Sequence, residues 1–135
     1  MVRNKFAWGA LSGALVSLIL FFAIPPAPPN PYSDVEIVDV KRISPTEVEI
    51  VANFVKNECT FMRLEVFGSS TGVLEFVEWE SLQGRGKEYD RSVGVQTLDI
   101  LVKAPYDKYD SIEIRTRHSC GGEIVDKTFA VISGV

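Results

Sequence analysis

From residue 34 onward, apolar and polar side chains alternate with a period of two. Residues 47–54 (EVEIVANF) put Val48, Ile50, Ala52 and Phe54 on one side of an extended chain. Residues 97–103 do the same with Leu98, Ile100 and Val102, and residues 111–117 with Ile112, Ile114 and Thr116. Less regular runs of β-branched and aromatic residues lie at 35–43, 60–67, 73–80 and 127–132. Ser44-Pro45, Gly68 to Gly72, Gly84-Arg85-Gly86, Pro105 and Gly121-Gly122 separate them as turns. Seven short strands with no helical stretch between them predict an antiparallel β-sandwich. In residues 35–43 the apolar parity switches between Ile37 and Val38, which predicts a bulge or an edge strand.

A different pattern precedes this region. Residues 6–24 (FAWGALSGALVSLILFFAI) are apolar without a charge, follow Arg3 and Lys5, and run into Pro25, Pro26, Pro28, Pro29 and Pro31. A helix of that length matches the hydrocarbon thickness of a bilayer, so the run predicts one N-terminal transmembrane helix. The competing reading is a cleaved secretory signal. Signal peptides have a shorter apolar region and a small-x-small site, whereas here prolines crowd every bond near Ala23 and Ala27. The positive residues sit on the short side, so residues 1–5 are expected in the cytoplasm and the rest in a periplasm or extracellular space. Residues 25–33 then form a stiff proline-rich linker, and residues 34–135 an all-β ectodomain.

Within the apolar run, Gly9 and Gly13 are spaced as G-x-x-x-G and Ser17 extends the stripe, a pattern that lets a second membrane helix pack closely. Trp8 reads as an interfacial anchor.

Charge narrows the list of partners. All 18 acidic residues lie beyond residue 33 with 12 of the 14 basic ones, leaving that portion a formal −6. A surface of that sign excludes nucleic acid and flat docking on anionic lipid.

The two cysteines constrain the topology. Cys59 opens the third predicted strand and Cys120 closes the sixth. In an immunoglobulin-like order those strands are antiparallel neighbours, so a Cys59–Cys120 disulfide is expected, in keeping with an oxidising compartment. Two cysteines and one histidine do not make a closed zinc site.

The stretch Val102-Lys103-Ala104-Pro105-Tyr106-Asp107-Lys108-Tyr109, followed by residues 112–117 and the Gly121-Gly122 turn, resembles the corner before the sixth strand, and that strand itself, of fibronectin type III domains. The resemblance covers about 20 residues. It implies a sandwich used for adhesion or as a spacer. It also implies that Tyr109, four residues after Pro105, hydrogen-bonds back to the main chain. The family's early core tryptophan is absent here.

Candidate chemistry is sparse. His118 is the only histidine, and its neighbour Cys120 is expected to be bridged, so no nucleophilic constellation forms around it. Glu75, Glu78 and Glu80 around Trp79 suggest a glycosidase pair or sugar platform, but alternation puts Glu78 and Glu80 on one solvated strand face. Asp107 and Asp110 lack the ligand run of a calcium loop. No metal or cofactor motif is present, and no catalytic residue is assigned. The expected function is a non-catalytic, membrane-anchored interaction module, an accessory or assembly subunit of a membrane or cell-envelope complex. Trp79, Arg85, Lys87 and Tyr106 are its candidate contacts with a protein partner. The alternative is a secreted carbohydrate- or protein-binding sandwich released by signal cleavage and using an exposed Trp79 or Tyr106.

Overall fold

The computed structural model describes residues 29–134 apart from residue 88. The apolar run, with Gly9, Gly13 and Ser17, lies outside the described residues. Seven strands carry the chain: β1 (Tyr32–Ser44), β2 (Glu47–Lys56), β3 (Thr60–Ser70), β4 (Val73–Ser81), β5 (Gly94–Lys103), β6 (Ser111–Cys120) and β7 (Glu123–Ser133). Each covers a run expected from the sequence, usually with a few residues added at the ends. β1 begins at Tyr32, inside the expected linker, and β7 begins four residues before its expected start. The reason for the early start is the turn. Gly121 and Gly122 both adopt positive φ (59° and 89°), the conformation of a two-residue hairpin, so pairing between Cys120 and Glu123 resumes at once.

All neighbouring strands pair antiparallel, in the order β1-β2-β5-β4-β3-β6-β7. β4 divides this arrangement into two groups. Its first half, Val73 to Val77, pairs with Ser70 to Val66 of β3, and its second half, Glu78 to Ser81, pairs with Lys103 to Ile100 of β5. The groups β1-β2-β5 and β3-β6-β7 turn their apolar faces toward one another, and the ring of Phe54 on β2 meets that of Phe129 on β7 at 5.3 Å. The arrangement is compatible with a β-sandwich. Val48, Ile50, Ile100, Val102, Ile112 and Ile114 are fully buried between the layers, each contributing about 1.5 to 3 kcal/mol of transfer free energy.

β1 is an edge strand, and its parity break has the expected cause. The register with β2 shifts between Ile37 and Asp39, as it does at two other places along the strand. Val35, Ile37 and Val40 can therefore all pack against the core while Val38 points to solvent. Cys59 and Cys120 form a disulfide with Cα atoms 4.6 Å apart, tying the start of β3 to the end of β6 where Thr60 pairs with Ser119.

Candidate functional site

The chain enters the sandwich at one pole and is tied down there. The Asn57 N–H donates to the Pro31 carbonyl (2.9 Å), and its side-chain amide donates to that of Asn30 (2.9 Å). Lys127 on β7 donates to Asn30 Oδ1 (2.5 Å) and to the Tyr32 carbonyl (2.9 Å), with its ammonium over the Tyr32 ring. The same pole holds the ends of β2 and β6, the disulfide and the long β4–β5 loop.

Polar side chains continue the inward parity of β2 and β6 beyond the apolar ones. After Phe54 comes Lys56, only 5% exposed, and after Ile114 come Thr116 and His118, the latter 4% exposed. Each finds a partner, as buried polar groups must. Lys56 Nζ donates to the Cys59 carbonyl (2.6 Å) and pairs with Asp90 Oδ1 in the β4–β5 loop (3.0 Å), and that oxygen also accepts the Phe61 N–H (3.1 Å). Burial works to raise the Asp90 carboxyl, but the Phe61 hydrogen bond and Lys56 outweigh it, and the group titrates below its ordinary range. His118 Nε2 lies 2.9 Å from the Thr116 hydroxyl, which is hydrogen-bonded in turn to the Tyr32 phenol (3.2 Å). Burial, helped by the charge of Lys56, pushes the imidazole down to about 4, so His118 is neutral at pH 7.

The cavity beside these groups is lined mainly by Tyr32, Phe54, Phe61, Leu98 and Phe129 and measures about 30 Å³, space for a single water rather than a ligand. Loop residues close it from above. Arg91 donates to the Gln83 side chain (2.6 Å), Gln83 donates to the Thr97 carbonyl (2.8 Å), and the Leu82 N–H donates to the Asp99 main-chain carbonyl (3.0 Å).

The expected partner contacts fare differently. Arg85 and Lys87 are exposed as expected, yet both rest on aromatic rings of their own domain. Arg85 lies 4.3 Å above the Tyr89 ring and Lys87 5.1 Å above that of Trp79. Trp79 corrects the sequence reading: it is buried, 9% exposed, and is no open platform. Its parity is that of Val77, and its indole N–H donates to the Leu64 carbonyl (3.2 Å) at the point where β4 leaves β3. The side chain there replaces the main-chain partner that β3 loses. Glu78 and Glu80 share the opposite, exposed face, as alternation requires. Tyr106 opens the 3₁₀ turn Tyr106–Lys108 at the far pole.

Tyr109 also corrects an expectation. Its hydroxyl donates to Glu75 Oε2 on β4 (2.9 Å), not to the main chain, and Lys108 Nζ reaches the same oxygen (2.9 Å). The cause lies in the pairing of Gly68 with Glu75. With no side chain at Gly68, the Tyr109 ring lies flat on the strand and its hydroxyl reaches the neighbouring carboxylate. Lys108 first, and Tyr109 with it, hold the Glu75 carboxyl below its usual range. Asp110 accepts the Thr71 N–H (2.9 Å), and no group of three carboxylates, histidines or cysteines among the described residues converges as a metal site.

The outer faces of the two layers carry different charge, which the sequence reading did not anticipate. On the β1-β2-β5 layer, Glu36, Asp39, Glu47, Glu49 and Asp99, joined by Glu78 and Glu80, outnumber Lys41 and Lys103. Glu49 and Asp99 lie close enough that a hydrogen bond between them, ahead of burial, raises the Glu49 carboxyl. On the β3-β6-β7 layer each arginine has its own acid: Arg63 with Glu65 (3.0 Å), Arg115 with Glu113 (2.9 Å) and Arg117 with Asp126 (2.6 Å).

Comparison with protein-family models, with curated proteins and with solved structures finds no match. The functional reading therefore rests on the sequence pattern and on this geometry. That geometry is one of internal polar contacts: both cysteines are bridged, and Lys56 and His118 are buried against groups of their own domain, although His118 Nδ1 has no hydrogen-bond partner among the described residues.

Proposed function

We propose that the chain is a non-catalytic interaction module: an immunoglobulin-like head held outside the cytoplasm by an N-terminal membrane helix and a proline linker. It would serve as an accessory or assembly subunit of a membrane or cell-envelope complex. The strand order supports the family reading, because β1-β2-β5-β4 with β3-β6-β7 is the order of an immunoglobulin constant-type sandwich. Three features depart from that type. The first half of β4 pairs with β3 and so links the two layers, the disulfide joins neighbours within one layer, and the tryptophan lies on β4 rather than β3.

The observation that carries the proposal is the clamped entry of the chain. Asn30 and Pro31 are tied to Asn57 just past β2, and Asn30 and Tyr32 to Lys127 of β7, so the chain enters the head at a fixed point of one pole. A rigid head on a stiff stalk presents its faces in a set direction, which suits assembly. Alkaline carbonate washing of vesicles bearing the full-length chain tests the anchor, and protease added from either side tests the topology. The chain is expected to stay in the pellet and to be trimmed only from the non-cytoplasmic side. Release into the supernatant, or digestion of the head from the cytosolic side, defeats the proposal. Crosslinking in those membranes with mass-spectrometric readout is expected to recover a reproducible neighbour.

A further inference from the structure

Residues 89–93 lie across the entry pole as a strap, and two of their ties cross to the turn between β2 and β3. Asp90 Oδ1 accepts from Lys56 Nζ (3.0 Å) and from the Phe61 N–H (3.1 Å). Lys56 Nζ also donates to the Cys59 carbonyl (2.6 Å). Cys59 lies between Lys56 and Phe61 in the chain, so carboxylate, ammonium and turn close a ring around it. The start of β3 is held only weakly by its ladder. Pairing with β6 is broken by a register shift between Phe61 and Arg63, which leaves Thr60–Ser119 and Phe61–His118 as the two pairs beyond the break. The His118 ring meets that of Phe61 at 5.6 Å, but its Nδ1, without a hydrogen-bond partner among the described residues, adds no bond to the pairing. The Cys59–Cys120 disulfide is the covalent fastening of this short end to β6.

We propose that the disulfide locks a thiol-operated strap: exchange with a dithiol, small or protein-borne, frees residues 59–61 from β6 and lets residues 89–93 lift from the pole. Cys59 is half-buried and Cys120 buried, so the thiolate of the reagent attacks Cys59 Sγ. The bond between the two sulfurs breaks, a mixed disulfide forms, and Cys120 leaves as a thiolate that takes a proton from water. The second thiolate of the reagent then displaces Cys59 and closes the reagent's own disulfide. Two electrons pass to the cysteines, with two protons through water, and the dithiol is oxidised. Lys56 drives the opening. Its buried ammonium is balanced by the Cys59 carbonyl and Asp90 together. Once the carbonyl moves away the ammonium is one acceptor short, hydration outside becomes the better state, and Asp90 moves out with it. The Tyr109–Glu75 contact at the far pole shares no residue with this chain of bonds. The inference goes beyond the proposed function and needs neither the membrane helix nor a partner.

The test is the rate at which an acetylating ester modifies Lys56 in the full-length chain, read by mass spectrometry before and after reduction with dithiothreitol and its removal under nitrogen. Reduction is expected to speed acetylation of Lys56 by about tenfold or more, while Lys103, already exposed near the far pole, keeps its rate. Hydrogen exchange on the same samples is expected to quicken at the Phe61 amide and to stay slow at Ile100 and Ile114. Asp90→Asn is expected to speed acetylation of Lys56 by a similar factor with the disulfide intact, and reduction of that variant to add little, because its strap is already loose. Cys59→Ser with Cys120→Ser is expected to match the reduced wild type and to be indifferent to dithiothreitol. Unchanged acetylation of Lys56 on reduction, loss of protection at Ile100 and Ile114 along with Phe61, or a full-sized response to reduction in Asp90→Asn overturns the proposal.

Discussion

His118 and Gly68 show how single positions carry disproportionate weight in this domain. His118 is buried as a neutral ring, titrating at about 4 against an ordinary 6.5, with Lys56, Arg91 and Lys127 as the cations around it and Asp90 the nearest anion. The unfolded chain therefore takes up its proton first. Stability is complete above pH 6.5, falls as pH drops toward 4, and levels off below that, a loss on the order of 3 kcal/mol if His118 acts alone. Urea melts at pH 7.5 and 4.5 measure the difference, and His118→Gln is expected to flatten it. Gly68 is a steric case. A Cβ at that position would lie 2.5 Å from the Tyr109 ring, so Gly68→Ala is expected to cost about 1 to 3 kcal/mol. Combined with Tyr109→Ala it should cost much less than the two changes separately, a non-additivity that a double-mutant cycle measures. Neither constraint is visible in the sequence, where His118 is an isolated histidine at a strand end and Gly68 only the first residue of a glycine-serine run.

Among the strands, legibility depended on which physical signal a residue pattern reports. Alternation reports which face of a strand is buried. It located β2, β5 and β6 with their inward sets and the irregularity of β1 at Ile37 and Val38, while residue type and turn chemistry marked the other strands. It does not report which strand lies alongside. β4 keeps one parity from Leu74 through Phe76 and Glu78 to Glu80, so nothing in its pattern marks where it exchanges β3 for β5. The burial of Trp79 follows from that exchange, because its indole caps the strand being left. The burial of Lys56 and His118 is not legible for another reason: a basic side chain at a strand end gives no sign of being covered until the cap over it is known. The β3–β4 hairpin gives a direct test of turn chemistry. Thr71 sits at φ 50°, a costly conformation for a β-branched residue, followed by Gly72 at φ 79°. Thr71→Asn creates the Asn-Gly pair favoured in this turn and is expected to stabilise by about 1 kcal/mol, read as a higher thermal midpoint.

For the molecule as a whole, the disulfide closes a long stretch of chain, with a sequence separation of 61. Cys59→Ala with Cys120→Ala is expected to cost about 4 kcal/mol in the chain-entropy model, seen as a lower urea midpoint with the far-ultraviolet spectrum of the folded state unchanged. The two-sided distribution of charge also belongs to this level. Residues 34–135 carry a formal −6, but the sequence does not show that one layer carries the excess while the other is balanced, since that requires knowing which strands share a face. The order of strands has one further effect. Because β1 and β7 run in the same direction, residue 29 and residue 134 lie at opposite poles, roughly 40 Å apart for a 13-residue strand. Tension applied between those two ends runs along the strands and strains the β1–β2 and β6–β7 ladders in shear, many bonds sharing the load together. A head strung that way resists tugging far better than one unzipped from a single end.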